Sequence, residues 1–332
     1  MKAVVVENPG APEVLQIKEV SKPSQREGWV LIKVKAFGLN RSEMFTRQGH
    51  SPNVKFPRIL GIECVGIVQR CPSGNFAEGQ KVAAIMGEMG RSYDGSYAEY
   101  TLVPENIVFD FESTLDWEIL GAIPEMFQTV NGSLDNLEVK AGDIFLIRGG
   151  TSSIGMTACQ IAKSMGATVI ATTRNPDKEE ALKQNGADHI IIDDGQISEK
   201  LRVIYPDGAD KVLELIGTIT IKDSLKCVRP KGIVCITGIL GNEWLINNFE
   251  PMVDIPSTVR LTCYSGEAMD LDKSDLQDFI NKVEKGKIKL NIDRVFQLEE
   301  IVQAHQYMES NQAKGKIVVR TGDVLDSKTY QD

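Results

Sequence analysis

The sequence predicts an α/β chain in two parts, a β-rich region over residues 1–120 and, after it, a doubly wound parallel sheet. Three observations carry this. The 332 residues suit two domains of ordinary size, each burying its own core. Strand-period patterns separated by turn residues fill the first part. From Ile144 onward, short β-branched runs alternate with helical patterns, which implies parallel strands joined by right-handed crossovers.

Taken in order, residues 29–37 place Val30, Ile32, Val34 and Ala36 on one face at period two. Residues 61–69 and 82–86 are further strands with Gly79 in the turn between them, and 95–103 closes the β-rich part. No helical pattern of useful length is expected before Asp116. Six strands follow at 144–148, 168–172, 189–192, 211–215, 232–237 and 259–264, enough for a doubly wound sheet. The helix after the first of them carries Ile154, Ala158, Ile161, Ala162 and Met165 on one face. Residues 240–258 are too rich in Asn and Pro for one regular helix. In the tail, Ser274 is expected to cap a helix bearing Leu276, Phe279, Ile280 and Val283. A second helix covers 298–310, and 316–320 reads as a last strand. This tail does not continue the parallel period, so it is expected to return to the first domain.

Composition narrows the function. With 42% hydrophobic residues and a net charge of −9, the chain is neither a disordered segment nor a membrane protein. That charge meets a phosphate backbone with net repulsion, and no basic stripe offsets it, so nucleic acid is not an expected partner. The apolar run after Lys2 is too short for a secretory signal. Six cysteines (Cys64, Cys71, Cys159, Cys227, Cys235 and Cys263) show no CxxC pair, as in a cytoplasmic protein with reduced thiols. The three histidines, His50, His189 and His305, lie away from other ligand types, so no metal is expected.

The most informative segment is Gly150-Thr151-Ser152-Ser153-Ile154-Gly155, directly after the strand 144–148 and opening the amphipathic helix. A pyrophosphate needs backbone N–H groups at a helix N-terminus and no side chain in its way. Gly150 permits the tight turn, Gly155 lets the helix pack on the strand, and Ser152 stands where a middle glycine is usual. A Gly-rich turn alone also fits a plain βα connection. Strand, turn, helix and second strand in close succession favour a dinucleotide site. The second strand ends Thr172-Thr173-Arg174-Asn175 with no acid to hold a ribose 2′-hydroxyl. Arg174, with Lys178 beyond it, can neutralise a 2′-phosphate, which favours NADPH over NADH; the alternative is that both cations are ordinary solvated charges.

Several segments together resemble a known family along nearly the whole chain. They are 35–40 (KAFGLN), 59–63 (ILGIE), 95–100 (GSYAEY), 149–155, 186–189 (GADH), 304–309 (AHQYME) and 315–318 (GKIV). The chain resembles the zinc-independent medium-chain dehydrogenases/reductases of the quinone oxidoreductase (zeta-crystallin-like) group. The resemblance implies a GroES-like catalytic domain over 1–120 and 266–332, with a Rossmann NADPH-binding domain over 121–265. Zinc-dependent relatives place a Cys near the Asn40–Glu43 region and a His before the Glu of their GHE motif. This chain has Asn40-Arg41-Ser42-Glu43 and Gly61-Ile62-Glu63, and no cysteine in 87–100.

By the same resemblance, Asn40, Glu43 and Thr129 are the catalytic candidates at the nicotinamide end. The cofactor is expected to meet residues 150–155, Thr173, Arg174, Lys178, Leu215, Gly217, Gly238, Ile239 and Leu240, and Lys316 from the tail. Asn40 is otherwise a turn former after Gly38, Thr129 a packed or capping threonine, and Glu63 a structural hydrogen-bond acceptor. His305 reads as a packed histidine. Relatives often carry a Tyr after the GADH segment, where this chain has Asp193 and Asp194; these acids oppose a 2′-phosphate if they face it.

The function implied is NADPH-dependent hydride transfer to a quinone or similar conjugated carbonyl in a cleft between the domains, without a metal. One alternative is an alkenal, enone or enoyl-thioester reductase, which needs a positioned acid, with Tyr93 and Tyr97 the nearest candidates. Another is a non-catalytic NADPH-binding protein. A homodimer is expected by resemblance, with 259–264 as the edge strand that meets its mate.

Overall fold

The structure, a computed structural model, describes residues 1–51 and 53–322. It divides into two compact units. The first comprises Met1–Glu125, Glu267–Lys285 and the chain from Ile292 on; the second comprises Met126–Gly266 and Gly286–Asn291. Residues 121–125, expected in the nucleotide domain, thus fall in the first unit, and the short return Gly286–Asn291 joins the second. There Lys289 exchanges hydrogen bonds with the Gln160 side chain at 2.8 and 2.9 Å.

The first unit is built on a seven-stranded sheet. The tail strands Ile292–Gln297 and Lys316–Arg320 pair parallel with each other, and the latter runs antiparallel to Trp29–Gly38. Glu63–Arg70, Lys81–Ile85 and Val108–Asp110 continue the sheet, and Tyr100–Pro104 also pairs with Trp29–Gly38. A smaller sheet joins Gln16–Glu19, Lys2–Val6 and Arg58–Ile59. The alternating apolar residues predicted on 29–37 all lie in the interior: Val30, Ile32, Val34 and Ala36 are buried.

Four expectations need correcting here. A helix, Arg41–Arg47, interrupts the β-rich part well before Asp116. Residues 95–99 are not strand: a Cβ on Gly95 would lie 2.2 Å from the Gly61 carbonyl oxygen, so this segment crosses against the 60–61 backbone instead of joining the ladder. The strand expected from Gly61 starts at Glu63, because Gly61 has φ +106°, outside the extended region. In the tail, helix Lys273–Glu284 is capped by Asp272, whose carboxylate accepts from the Ser274 N–H at 2.7 Å; Ser274 is already inside the helix.

The second unit holds six parallel strands: Ile144–Arg148, Thr168–Thr173, His189–Ile192, Ala209–Glu214, Val228–Ile236 and Arg260–Cys263. Numbered by sequence, their spatial order is 3-2-1-4-5-6, the order of a dinucleotide-binding doubly wound sheet. Both faces are covered. Phe145, Ile147, Val169 and Ala171 pack into one apolar cluster, while Leu146 and Ile170 pack into the opposite one. That alternation is why these strands read as continuous apolar runs. Arg260–Cys263 forms one edge of the sheet. No helix among the described residues is long and apolar enough to cross a membrane.

Candidate functional site

The first strand of the second unit ends at Arg148, and the chain turns at Gly149, whose φ of +90° excludes most side chains. The left-handed residue is therefore Gly149, where Gly150 was expected. Gly150 serves close approach: a Cβ there would lie 2.9 Å from Ala171 Cβ and 3.1 Å from the Thr172 carbonyl oxygen. Gly155 is equally confined, with a Cβ falling 2.6 Å from the Gly149 carbonyl oxygen.

Ser152 caps the helix Ser153–Ser164. Its Oγ accepts from the Gly155 N–H at 3.0 Å and donates to the Gly149 carbonyl oxygen at 2.9 Å. Its hydroxyl is thus committed to the turn, with its proton on the Gly149 carbonyl oxygen. Among the described residues, the N–H groups of Thr151, Ser153 and Ile154 have no acceptor. Three free backbone donors at a helix N-terminus, with no Cβ at Gly150, are what a pyrophosphate requires, so these residues fit a dinucleotide.

Two loops at the carboxyl ends of the fourth and fifth strands stand nearby. Glu214 is fully buried, and its Oε1 accepts from the N–H groups of Ile216 and Gly217 at 2.7 and 2.9 Å. Burial pushes this carboxyl up, against the opposing effect of its bond from Ser224 Oγ. Gly217 takes φ +101°. Leu240 N–H donates to the Leu215 carbonyl at 3.0 Å, and a Cβ on Gly238 would meet that same oxygen at 2.5 Å. Leu215, Gly217, Gly238, Ile239 and Leu240 are therefore brought together, and Leu215 and Leu240 line the Gly149 turn. In the same unit Thr129 lies on helix Pro124–Asn136, nearly buried, with its carbonyl accepting from Ser133 Oγ at 2.6 Å.

At the end of the second strand, Thr173 Oγ1 donates to the Asn175 carbonyl and accepts from the Asn175 N–H, both at 3.1 Å. Arg174 is exposed and Lys178 half-buried; neither forms an ion pair among the described residues. Asp193 and Asp194 are accounted for. Asp193 accepts from Arg148 Nε and Nη2 at 2.9 and 3.0 Å, and Asp194 pairs with Lys200 at 2.6 Å. The expected opposition of both acids to a phosphate is thus relieved by partners that the sequence did not announce.

The first unit holds a buried polar cluster. Asn40 is the N-cap of helix Arg41–Arg47, and Glu43 three residues on returns a carboxylate oxygen to the Asn40 N–H at 3.1 Å. The Asn40 side-chain amide donates to Glu63 Oε1 at 2.9 Å and to Glu43 Oε1 at 3.3 Å, while its Oδ1 accepts from Lys316 Nζ at 2.5 Å. Lys316 Nζ also lies 3.0 Å from Glu63 Oε1 and 3.1 Å from Glu125 Oε2. Glu63 Oε2 accepts from the Glu125 N–H at 2.8 Å. Gly38 makes this possible: a Cβ there would fall 2.3 Å from Lys316 Cε and 2.5 Å from Glu63 Oε1.

Lys316 was expected to bond the cofactor. Its three protons instead have three acceptors within the first unit, which makes it the counter-ion of the cluster. Burial alone would lower its ammonium, but Glu63 and Glu125 outweigh burial and hold it above its ordinary value. Burial, and then the charge of Glu63, pushes Glu43 up to about 8, opposed by the N–H groups it accepts from and by Lys316. Burial likewise pushes Glu63 up against the pull of Lys316. Glu63 is structural in the sense expected, yet it also joins Asn40 to Lys316. Glu125 was missed; nothing local marks it, because its role depends on Lys316 arriving from the tail.

Neither tyrosine suggested as an acid is free. Tyr97 is fully buried, stacked on Phe37 at 4.7 Å, with its hydroxyl on His305 Nε2 at 3.1 Å. Tyr93 donates to the Gly87 carbonyl at 2.6 Å. Burial raises both phenols, and it pushes His305 down to about 3, with Arg47 adding to the effect. His305 is the packed neutral residue expected.

Known proteins bear on this arrangement. The family model of the alcohol dehydrogenase GroES-like domain matches residues 26–113, and that of the zinc-binding dehydrogenase matches 185–319. The chain is 28% identical to the quinone oxidoreductase of Lama guanicoe over 96% of its own length and 97% of that protein. It is 29% identical to a chloroplastic NADPH-dependent alkenal/one oxidoreductase of Arabidopsis thaliana, over 96% and 79% of the two chains. The solved quinone oxidoreductase from Coxiella burnetii shares the fold with a TM-score of 0.83 at 27% identity, covering 96% of this chain and 99% of that one. With both domains matched and relatives aligned over nearly its full length, the chain is a quinone oxidoreductase-like medium-chain dehydrogenase/reductase, an oxidoreductase.

Proposed function

We propose that the chain is an NADPH-dependent reductase whose acceptor is a quinone or a similarly conjugated carbonyl. NADPH, when bound, supplies the hydride. The observation that carries the reading is the combination of three free N–H groups at Thr151, Ser153 and Ile154 with two unpaired cations, Arg174 and Lys178, at the end of the second strand. The N–H groups would hold the pyrophosphate, and the cations the 2′-phosphate. Thr173, Leu215, Gly217, Gly238, Ile239 and Leu240 would line the rest of the nucleotide. Thr129 and Asn40 are assigned to the nicotinamide end. Glu43, Glu63 and Lys316 fix the orientation of the Asn40 side chain.

Quinone reduction suits this site because the product oxygens take protons from water, so no dedicated acid is required. An alkenal or enone acceptor is the second reading, supported by the likeness to the Arabidopsis enzyme. It requires a proton on carbon, and both candidate phenols are engaged elsewhere. A matched panel of quinones and alkenals with NADPH separates the two: quinone turnover with poor enal reduction is expected, and the reverse order overturns the first reading. We also assign a homodimer built through the edge strand Arg260–Cys263, and a cytoplasmic location in keeping with six unpaired cysteines. Sedimentation of the purified protein tests the dimer.

A further inference from the structure

Arg148 is fully buried at the end of the first strand of the second unit, one residue before the Gly149 turn. A guanidinium in such a place needs every proton satisfied. Its Nη1 donates to Asp223 Oδ2 at 2.9 Å, Ser224 Oγ at 3.0 Å and the Thr220 carbonyl at 3.1 Å. Its Nε and Nη2 grip both oxygens of Asp193 in a fork at 2.9 and 3.0 Å. Asp193 stands at the end of the third strand, beside the end of the second: its N–H donates to the Thr173 carbonyl at 2.8 Å. Thr173 is followed directly by Arg174, so Asp193 is an acid held next to the place where a coenzyme's 2′-substituent is read. In other dinucleotide sites an acid at the end of the second strand takes the ribose 2′-hydroxyl, which excludes a 2′-phosphate. Here the acid comes from the adjacent strand, and its oxygens face away into the guanidinium.

We propose that the Arg148–Asp193 pair sets coenzyme preference: by occupying both oxygens of Asp193, Arg148 removes a carboxylate that would otherwise bind a ribose 2′-hydroxyl and repel a 2′-phosphate. The inference rests on the nucleotide reading above and adds a specificity determinant to it. Arg148 touches no coenzyme; it is a positioning residue that acts through Asp193. Asp194 does not share this role, since its carboxylate is mostly exposed and paired with Lys200.

The test is the ratio of dissociation constants for NADPH and NADH, measured by nucleotide fluorescence in the full-length protein. Arg148→Lys keeps the charge but cannot fork two oxygens, so it releases Asp193; the preference for NADPH is expected to fall several-fold, with NADH binding held or improved. Adding Asp193→Asn to that variant is expected to restore the preference. Asp193→Asn alone, which leaves Arg148 paired with Asp223 and removes one negative charge beside the end of the second strand, is expected to raise it several-fold, and this variant carries the test should Arg148→Lys not fold. A merely structural role would weaken both coenzymes alike and leave the ratio unmoved, and that result overturns the inference while the proposed function stands. A wild-type protein that binds neither nucleotide overturns both.

Discussion

Replacing Glu43 by glutamine removes a buried carboxyl group while keeping its shape. In the folded protein this group is pushed up to about 8, from an ordinary value of 4.5, by burial and by the Glu63 charge. A folded state that binds the proton more tightly than the unfolded one loses stability as the proton is given up. The contribution of Glu43 is therefore complete below pH 4.5, declines as pH rises, and is gone above about 8. Each pH unit inside that window removes about 1.4 kcal/mol, so the step from pH 5 to pH 7 costs the wild type about 3 kcal/mol from this group. Glutamine has no such dependence. Its carbonyl oxygen can still accept from the Asn40 N–H, as Glu43 does at 3.1 Å, but its NH2 group cannot accept from the Ile62 N–H as the other Glu43 oxygen does at 3.3 Å, which costs about 1 kcal/mol at every pH. The variant is thus expected to be offset at low pH and to converge on or overtake the wild type towards pH 8. Urea denaturation at a series of pH values, followed by tryptophan fluorescence and circular dichroism, measures the difference. Parallel stability profiles for the two proteins would refute the reasoning, because they would mean that Glu43 titrates alike folded and unfolded.

Other expectations follow from the same geometry. Lys316→Met leaves Glu63 and Glu125 without their shared cation and is expected to destabilise the protein by about 3–5 kcal/mol, read by denaturant midpoint. Gly150→Ala drives a methyl group to 2.9 Å from Ala171 Cβ; a stability loss of about 1–3 kcal/mol is expected, with NADPH and NADH weakened alike in fluorescence titrations. Neutralising Arg174 and Lys178 together to Gln is expected to raise the dissociation constant for NADPH by about tenfold to a hundredfold while sparing NADH, since only a 2′-phosphate draws on those charges.

The nucleotide-binding half was legible because its signals are local. Apolar runs of strand length, separated by helical patterns, state a parallel sheet covered on both faces, and the observed strands at 144–148 and 189–192 have the bounds expected. Gly-rich turns are similarly local, though which glycine takes the left-handed conformation was not: Gly149 and Gly150 differ only in what packs against them. The helix Arg41–Arg47 was missed because it is only seven residues long, too short for its apolar period to stand out. Its Asn40 and Glu43, spaced as a capping box, were the available signal.

By itself the sequence determined the two kinds of domain, the alternation of strands and helices in the second of them, and the Gly-rich turn with the cations beyond it, because backbone geometry and solvent contact depend on neighbours in the chain. Tertiary structure alone decided the ionic interior. Arg148 finds Asp193 and Asp223 across distances of 45 and 75 residues, and Lys316 reaches Asn40 across 276. A buried charge is tolerated only beside a partner, and which distant acid stands there is fixed by how the strands are ordered in space. That ordering turned Lys316 from an expected cofactor ligand into the cation at the centre of the Asn40 cluster, and it turned Asp193 from an expected obstacle into the partner of a buried arginine.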